Sequence, residues 1–278
     1  MALVSTQWLA DNLNKVKILD SSWHMPSTNR DGYKEYKKEH IVNSIFFDID
    51  KNSNQNTDLP HMLPEKKIWE KIVSEMGISN NDKIIIYDNS DVISACRCWY
   101  QFLYFGHKPE LVFVLNGGLK KWKQENRKTI NKNITLNPSN YIASEKFHLV
   151  KSKIEIDENI KKNKFKLVDA RSRKRFLGLE KEPRHGVKNG SIPNSQCLPF
   201  VQCLNLKDNT FLDRDTLKEK FESIGIKNDE NIVFTCGSGI TASVLGLAYS
   251  IINDKYVPKI YDGSWSEYGK VNENEKIN

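Results

Sequence analysis

An α/β fold built twice, each copy a mainly parallel sheet with helices on both faces, is what this 278-residue chain predicts. Two observations lead there. Short apolar runs alternate with longer stretches of helical period, and landmarks of the first half recur in the second at nearly one spacing. Alternation of that kind favours parallel strands joined by helical crossovers. A repeat this long indicates duplicated domains, since solenoid units are far shorter.

Taken in order, Lys17-Ile18-Leu19-Asp20 reads as a strand ending in an acid, and Lys166-Leu167-Val168-Asp169 repeats it, with Asp169 149 positions after Asp20. Residues Lys66–Met76 carry a helical pattern, Ile84–Tyr87 a strand that runs into Asp88, Ala95–Phe105 a second helix and Leu111–Leu115 a further strand. In the second half, Ile232-Val233-Phe234-Thr235 runs into Cys236, 148 positions after Asp88. The Asn116-Gly117-Gly118 turn after Val114-Leu115 is answered by Asp262-Gly263 after Lys259-Ile260-Tyr261. Asn116 and Asp262 are 146 apart, as are Trp122 and Tyr268. Residues 1–138 are expected to form the first domain, 139–152 a linker and 153–278 the second domain. The linker closes a polar, Asn-rich stretch that begins near Gln124 and contains Pro138. Asn272–Asn278 reads as a loose tail.

Composition narrows the function classes. The net charge is +7 with a pI near 9.0, but the lysines are scattered among asparagines. The densest cluster, Lys161-Lys162-Asn163-Lys164-Phe165-Lys166, reads as a solvated face, which argues against a nucleic-acid partner. Mean hydropathy is −0.58, and no apolar run approaches the roughly 20 residues of a bilayer span. The N-terminal residues show neither a basic segment nor a signal-like apolar core. Five irregularly spaced cysteines do not suggest a disulfide framework, and Cys96-Arg97-Cys98 is too close for a zinc pair. A cytoplasmic enzyme without metal or organic cofactor is the expectation.

The chemistry concentrates at Cys236-Gly237-Ser238-Gly239-Ile240-Thr241-Ala242. A strand ends on the cysteine, a glycine-rich loop follows, and an apolar stretch from Ala242 through Leu245, Leu247, Ala248 and Ile251 reads as a helix. The N–H groups and dipole at a helix start favour negative charge, so a sulfur held there is expected to be largely thiolate and nucleophilic. A buried strand-end cysteine is otherwise an ordinary small apolar residue. The loop has the shape of the cradle in cysteine phosphatases, but those end it with an arginine on the phosphoryl group, and this chain has Ala242. Nor does Gly-Lys-Ser/Thr close it as in a nucleotide-binding loop. In the first half, Asp88 occupies the cysteine position and the loop Asn89–Ser94 is acidic and lacks glycine, so that half is expected to be catalytically degenerate.

These residues resemble the tandem-rhodanese sulfurtransferases, in particular the bacterial type that uses 3-mercaptopyruvate. The similarity runs through Phe46-Phe47-Asp48-Ile49-Asp50, His61-Met62-Leu63-Pro64, Glu182-Pro183-Arg184, the Cys236–Ala242 loop and Tyr261-Asp262-Gly263-Ser264-Trp265. It implies two rhodanese-like domains, with the active site in the second and facing the first. It also implies roles. Cys236 matches the persulfide carrier, and Gly237, Gly239, Ile240 and Thr241 belong to its amide cradle. Arg175 and Arg184 match a pair that grips the donor's carboxylate and carbonyl, a task suited to arginine forks. Asp50, His61 and Ser238 match a proton relay, with Asp50 and His61 supplied by the first domain.

The implied reaction moves sulfur from 3-mercaptopyruvate through a Cys236 persulfide to a thiol, thioredoxin or cyanide, releasing pyruvate. The loop is uncharged at Gly237, Ser238 and Gly239, whereas thiosulfate-preferring relatives place basic side chains there. The neutral loop therefore favours the mercaptopyruvate donor over thiosulfate. A persulfide carrier serving a biosynthetic partner is the other alternative. The chain departs from the family pattern at Ile93 (commonly aromatic), Cys96, Ser191 and Asn116.

Overall fold

Ile84-Ile85-Ile86-Tyr87 and Ile232-Val233-Phe234-Thr235 are buried at every position. A strand apolar on both faces is what the middle of a covered parallel sheet requires. In a computed structural model that describes residues 2–271 except 133, 135 and 228–230, each run is the middle strand of a five-stranded sheet. The tail expected at Asn272–Asn278 lies outside the described residues.

The first sheet runs in the order Leu3–Val4, Val112–Leu115, Ile84–Tyr87, Lys17–Asp20, Ser44–Phe46, with every neighbouring pair parallel. The second runs Val150–Lys151, Ile260–Tyr261, Ile232–Thr235, Lys166–Asp169, Gln196–Cys197, again all parallel. The registers correspond as well. Asp20 lies opposite Tyr87, and Asp169 opposite Thr235. Asp88 and Cys236 thus each follow the C-terminal end of the middle strand, where open α/β sheets build their sites.

Helices form where the sequence supplies period and caps. Lys66–Glu75 and Ala95–Tyr104 match the expected spans to within a residue. Lys153–Lys162 opens on a complete capping box, in which Ser152 Oγ accepts from Glu155 N and Glu155 accepts from Ser152 N. The helix after the cysteine spans Ile240–Ile252 and so starts two residues before Ala242, because Gly239 (φ 83°) turns the chain into it.

Two compact units result. One comprises residues 2–55, 63–147 and 204–212; the other comprises 56–62, 148–203 and 213–271. The short segments are exchanged relative to chain order. In the first unit, Leu204–Asn205 and Thr210–Phe211 form an antiparallel hairpin. Phe211 N donates to Asn116 Oδ1 at 2.9 Å, and Lys120 Nζ to the Leu206 carbonyl at 2.8 Å. Asn116 therefore serves as an acceptor for that hairpin.

Each unit has its own core. Leu9, Ile18, Ile41, Ile85, Tyr87, Leu115, Leu119 and Trp122 fill the first. Ile156, Phe165, Leu167, Ile192, Val233, Tyr261 and Trp265 fill the second. Full burial of such side chains contributes about 1.5–3 kcal/mol each, so these cores hold the strand ends that carry the polar residues described next.

Candidate active site

Cys236 is 2% exposed, at the junction between the middle strand of the second sheet and the loop that enters the helix Ile240–Ile252. The first N–H groups of a helix have no partner inside it. The loop Gly237–Gly239 brings the sulfur to that end, and Gly239 takes the left-handed backbone that glycine adopts most readily. Ser243 Oγ donates to Gly239 O at 2.8 Å and fixes the turn from the helix side.

The segment after the last inner strand clamps the same loop. Cys236 N donates to Ser264 Oγ (3.4 Å), which itself donates to Tyr261 O (2.8 Å). Trp265 N donates to Cys236 O at 2.9 Å. Ser266 donates to Gly237 O from its N–H at 3.0 Å and from its hydroxyl at 2.6 Å. Ser264 holds φ at 50°, as Gly118 does at 54° in the matching position of the first half. The strain of a non-glycine residue there is retained because its hydroxyl holds the cysteine's backbone.

The thiol differs from its four relatives in what surrounds it. Burial pushes the thiols of Cys96 and Cys98 well above the ordinary range, and those of Cys197 and Cys203 up to about 11 and about 12. None of those four follows an inner strand into a glycine loop.

Both predicted arginines reach the loop. A side chain at Gly237 would begin 3.3 Å from Arg175 Nη2 and 3.6 Å from Arg184 Nη1. Arg184 Nη2 lies 3.5 Å from Ser238 Oγ. Arg175 extends from the short helix Arg173–Phe176, whose start is capped by Ser172 Oγ accepting from Arg175 N at 3.3 Å. The Glu182 carboxylate orients it, accepting from Nη2 at 2.6 Å and Nε at 3.2 Å. Glu182 also accepts from Arg171 Nη1 at 2.7 Å, and Arg171 forks onto Asp169 at 2.7–3.1 Å. Burial works against the Arg171 charge, but Asp169 and Glu182 outweigh it and raise its pKa. Its guanidinium centre sits 4.6 Å over the Trp265 ring, so this network and the Cys236 clamp share one indole.

His61 Nδ1 lies 2.8 Å from Ser238 Oγ, with both residues buried. Its number places His61 in the first half, yet the residue belongs to the second compact unit through the segment 56–62. It too holds a positive φ, 61°, at a cost in backbone strain. Asp50 belongs to the first unit, where its carboxylate accepts from Trp23 Nε1 at 3.0 Å.

The matching loop of the first unit is filled by its own carboxyl group. Asp88 Oδ2 accepts from Ala95 N at 2.6 Å, at the start of the helix Ala95–Tyr104, and Oδ1 accepts from Ser90 N at 3.2 Å. Burial nevertheless pushes the carboxyl up to about 7. Asp20 is the counterpart of Asp169 but has Ser22 where Asp169 has Arg171; burial raises it to about 6.

Four residues take positioning roles that the sequence left unassigned: Arg171, Glu182, Ser264 and Ser266, with Glu182 and Ser264 inside motifs quoted above. A signal was available for two. Aligning the halves sets Arg171 against Ser22 and Ser264 against Gly118, so each is a place where the second copy departs from the first.

Known proteins share this architecture. The model of the rhodanese-like domain family matches residues 5–125 and again 152–270. Thiosulfate/3-mercaptopyruvate sulfurtransferase 1, mitochondrial, of Arabidopsis thaliana is 36% identical, covering 96% of this chain and 75% of its own. Human 3-mercaptopyruvate sulfurtransferase is 34% identical over 96% of this chain and 91% of its own. Mouse thiosulfate sulfurtransferase is 33% identical over the same shares. Among solved structures, the Escherichia coli 3-mercaptopyruvate sulfotransferase SseA superposes with a TM-score of 0.85 at 28% identity, over 95% of this chain and 99% of that one.

Proposed function

Because this chain belongs to the rhodanese family, with two such domains in tandem and sulfurtransferases as its relatives over nearly the full length, we propose that it transfers sulfur from 3-mercaptopyruvate to an acceptor thiol through a persulfide on Cys236. The observation that carries this reading is the approach of Arg175 and Arg184 to Gly237, beside the buried cysteine.

The Cys236 thiolate attacks the sulfur of the donor, whose carboxylate and carbonyl are held by Arg175 and Arg184. The new S–S bond forms as the C–S bond breaks, and the electron pair moves onto the carbon as pyruvate enolate. The Ser238 hydroxyl, paired with His61, delivers a proton toward that carbon. The persulfide, Cys236–S–SH, then yields its outer sulfur to a thiol, thioredoxin or cyanide. The loop amides and helix start stabilise the negative charge at sulfur in both half-reactions. The first domain, with Asp88 in the cysteine position, carries no sulfur.

A second donor, thiosulfate, is favoured by one observation: relatives named for it align as fully as those named for mercaptopyruvate. The ratio of kcat/KM for the two donors decides, and a ratio in favour of thiosulfate overturns the mercaptopyruvate reading. We place the enzyme in the cytoplasm, on the strength of its five unpaired thiols. Among the described residues no helix is long and apolar enough to cross a membrane. Fractionation of the native cell tests the compartment, and recovery in an organelle, as the name of the Arabidopsis relative indicates for that protein, would correct it.

A further inference from the structure

Asp169, Arg171, Glu182 and Arg175 form a continuous chain of alternating charge. The links are 2.7 Å from Arg171 Nη2 to Asp169, 2.7 Å from Arg171 Nη1 to Glu182 and 2.6 Å from Arg175 Nη2 to Glu182. The first three side chains are at most 3% exposed, and Arg175 is 19% exposed. Two acids and two bases cancel. Buried charges persist only when paired in this way, and the pairing has a consequence for the ligand. Arg175 reaches the Cys236 loop through Nη2, with its Nε/Nη2 edge, and with it its charge, already answered by Glu182.

We propose that Glu182 is a specificity-determining residue, which neutralises Arg175 so that the site accepts a planar monoanion and disfavours a compact dianion. This rests on the reading above that Arg175 and Arg184 hold the donor. A monoanionic 2-oxo acid needs directed N–H groups for one carboxylate and one carbonyl, and a neutralised guanidinium supplies those. A dianion brings a second charge that meets the Glu182 carboxylate one guanidinium away, where screening by water is weak. The neutral loop at Gly237–Gly239 acts in the same sense. Glu182 extends that control to the arginine side of the site.

The test compares the two donors on wild type, Glu182→Gln and Glu182→Asp. Removing the charge in Glu182→Gln is expected to raise the kcat/KM ratio of thiosulfate to mercaptopyruvate at least tenfold. Glu182→Asp keeps the charge, so it should lower turnover of both donors and leave the ratio within about threefold of wild type. If Glu182→Gln loses both activities in parallel, the residue is structural and the proposal is wrong. One measurement needs no Glu182 variant: on the Cys236→Ser protein, where no sulfur moves, pyruvate should bind at least tenfold more tightly than sulfate by calorimetry. Sulfate binding as tightly as pyruvate overturns the proposal even if Glu182→Gln does not fold. Wild type that turns over neither donor would instead refute the functional reading itself.

Discussion

His61 Nδ1 and Ser238 Oγ meet at 2.8 Å across 177 positions of sequence. The serine lies two residues beyond the cysteine, so the histidine is coupled to the loop that carries the sulfur. A hydroxyl so paired can hand on a proton that the histidine replaces. Ser238→Ala is expected to lower kcat with mercaptopyruvate about 10²-fold, in the lower range of general acid–base effects, while donor KM changes little. His61→Ala should match it. Because the two act as one device, the double variant should be no slower than either single one within about threefold. Steady-state kinetics of the three variants check this, and multiplicative losses would show that the pair does not work as a unit.

Arg175 meets Glu182 through Nε and Nη2 together, a side-on fork that lysine cannot copy. Arg175→Lys keeps the positive charge but gives up the geometry. We expect donor KM to rise about tenfold, equivalent to roughly 1.4 kcal/mol, with a smaller change in kcat. A wild-type KM in that variant would mean that Arg175 contributes charge alone.

Asp88 in the first unit gives a pH signature. Its folded pKa, about 7, lies above the ordinary 3.8 because burial penalises the carboxylate more than the amides of Ala95 and Ser90 stabilise it. With the folded value raised, the unfolded chain ionises first, and stability falls as pH rises from about 4 to about 7. Asp20, raised by burial to about 6, adds to the same slope. Asp88→Asn removes the larger part. The variant should gain on wild type by on the order of 3 kcal/mol between pH 4 and pH 7. Denaturant titrations at the two pH values measure the gain, and an unchanged difference between the proteins would contradict the burial argument.

Gly239 starts the helix behind the cysteine at φ 83°. An L-residue pays roughly 1–2 kcal/mol for that conformation. Gly239→Ala should therefore lower Tm by several degrees and reduce the first half-reaction more than it reduces donor binding, since the helix amides shift relative to the sulfur. Calorimetry with single-turnover pyruvate release separates the two effects; full activity at reduced Tm would mean that the cradle tolerates the shift.

Much of the frame was legible because duplication wrote it twice. The three landmarks at spacings of 149, 148 and 146 residues became two sheets of identical order. Cys236 was legible because a strand, a glycine loop and a helix stand side by side in sequence. The supporting shell was not, for a physical reason. Glu182 lies in an irregular segment, and its importance comes from two arginines, 11 and 7 residues before it, that only folding brings onto one carboxylate. The exchange of segments 56–62 and 204–212 between the units was equally silent. A linear reading assigns residues to the half in which they are written, whereas packing follows the hydrogen bonds they find. Helix starts were legible to within two residues, and the shift from Ala242 to Ile240 came from the backbone freedom of Gly239.

The most direct test of the central claim is the intact mass of the protein after brief incubation with 3-mercaptopyruvate and removal of small molecules. Wild type should gain one sulfur, about 32 Da, and lose it on addition of a thiol, whereas Cys236→Ser should gain nothing. A wild-type protein that releases pyruvate without acquiring that mass, or a Cys236→Ser protein that acquires it, would contradict a persulfide carried on Cys236.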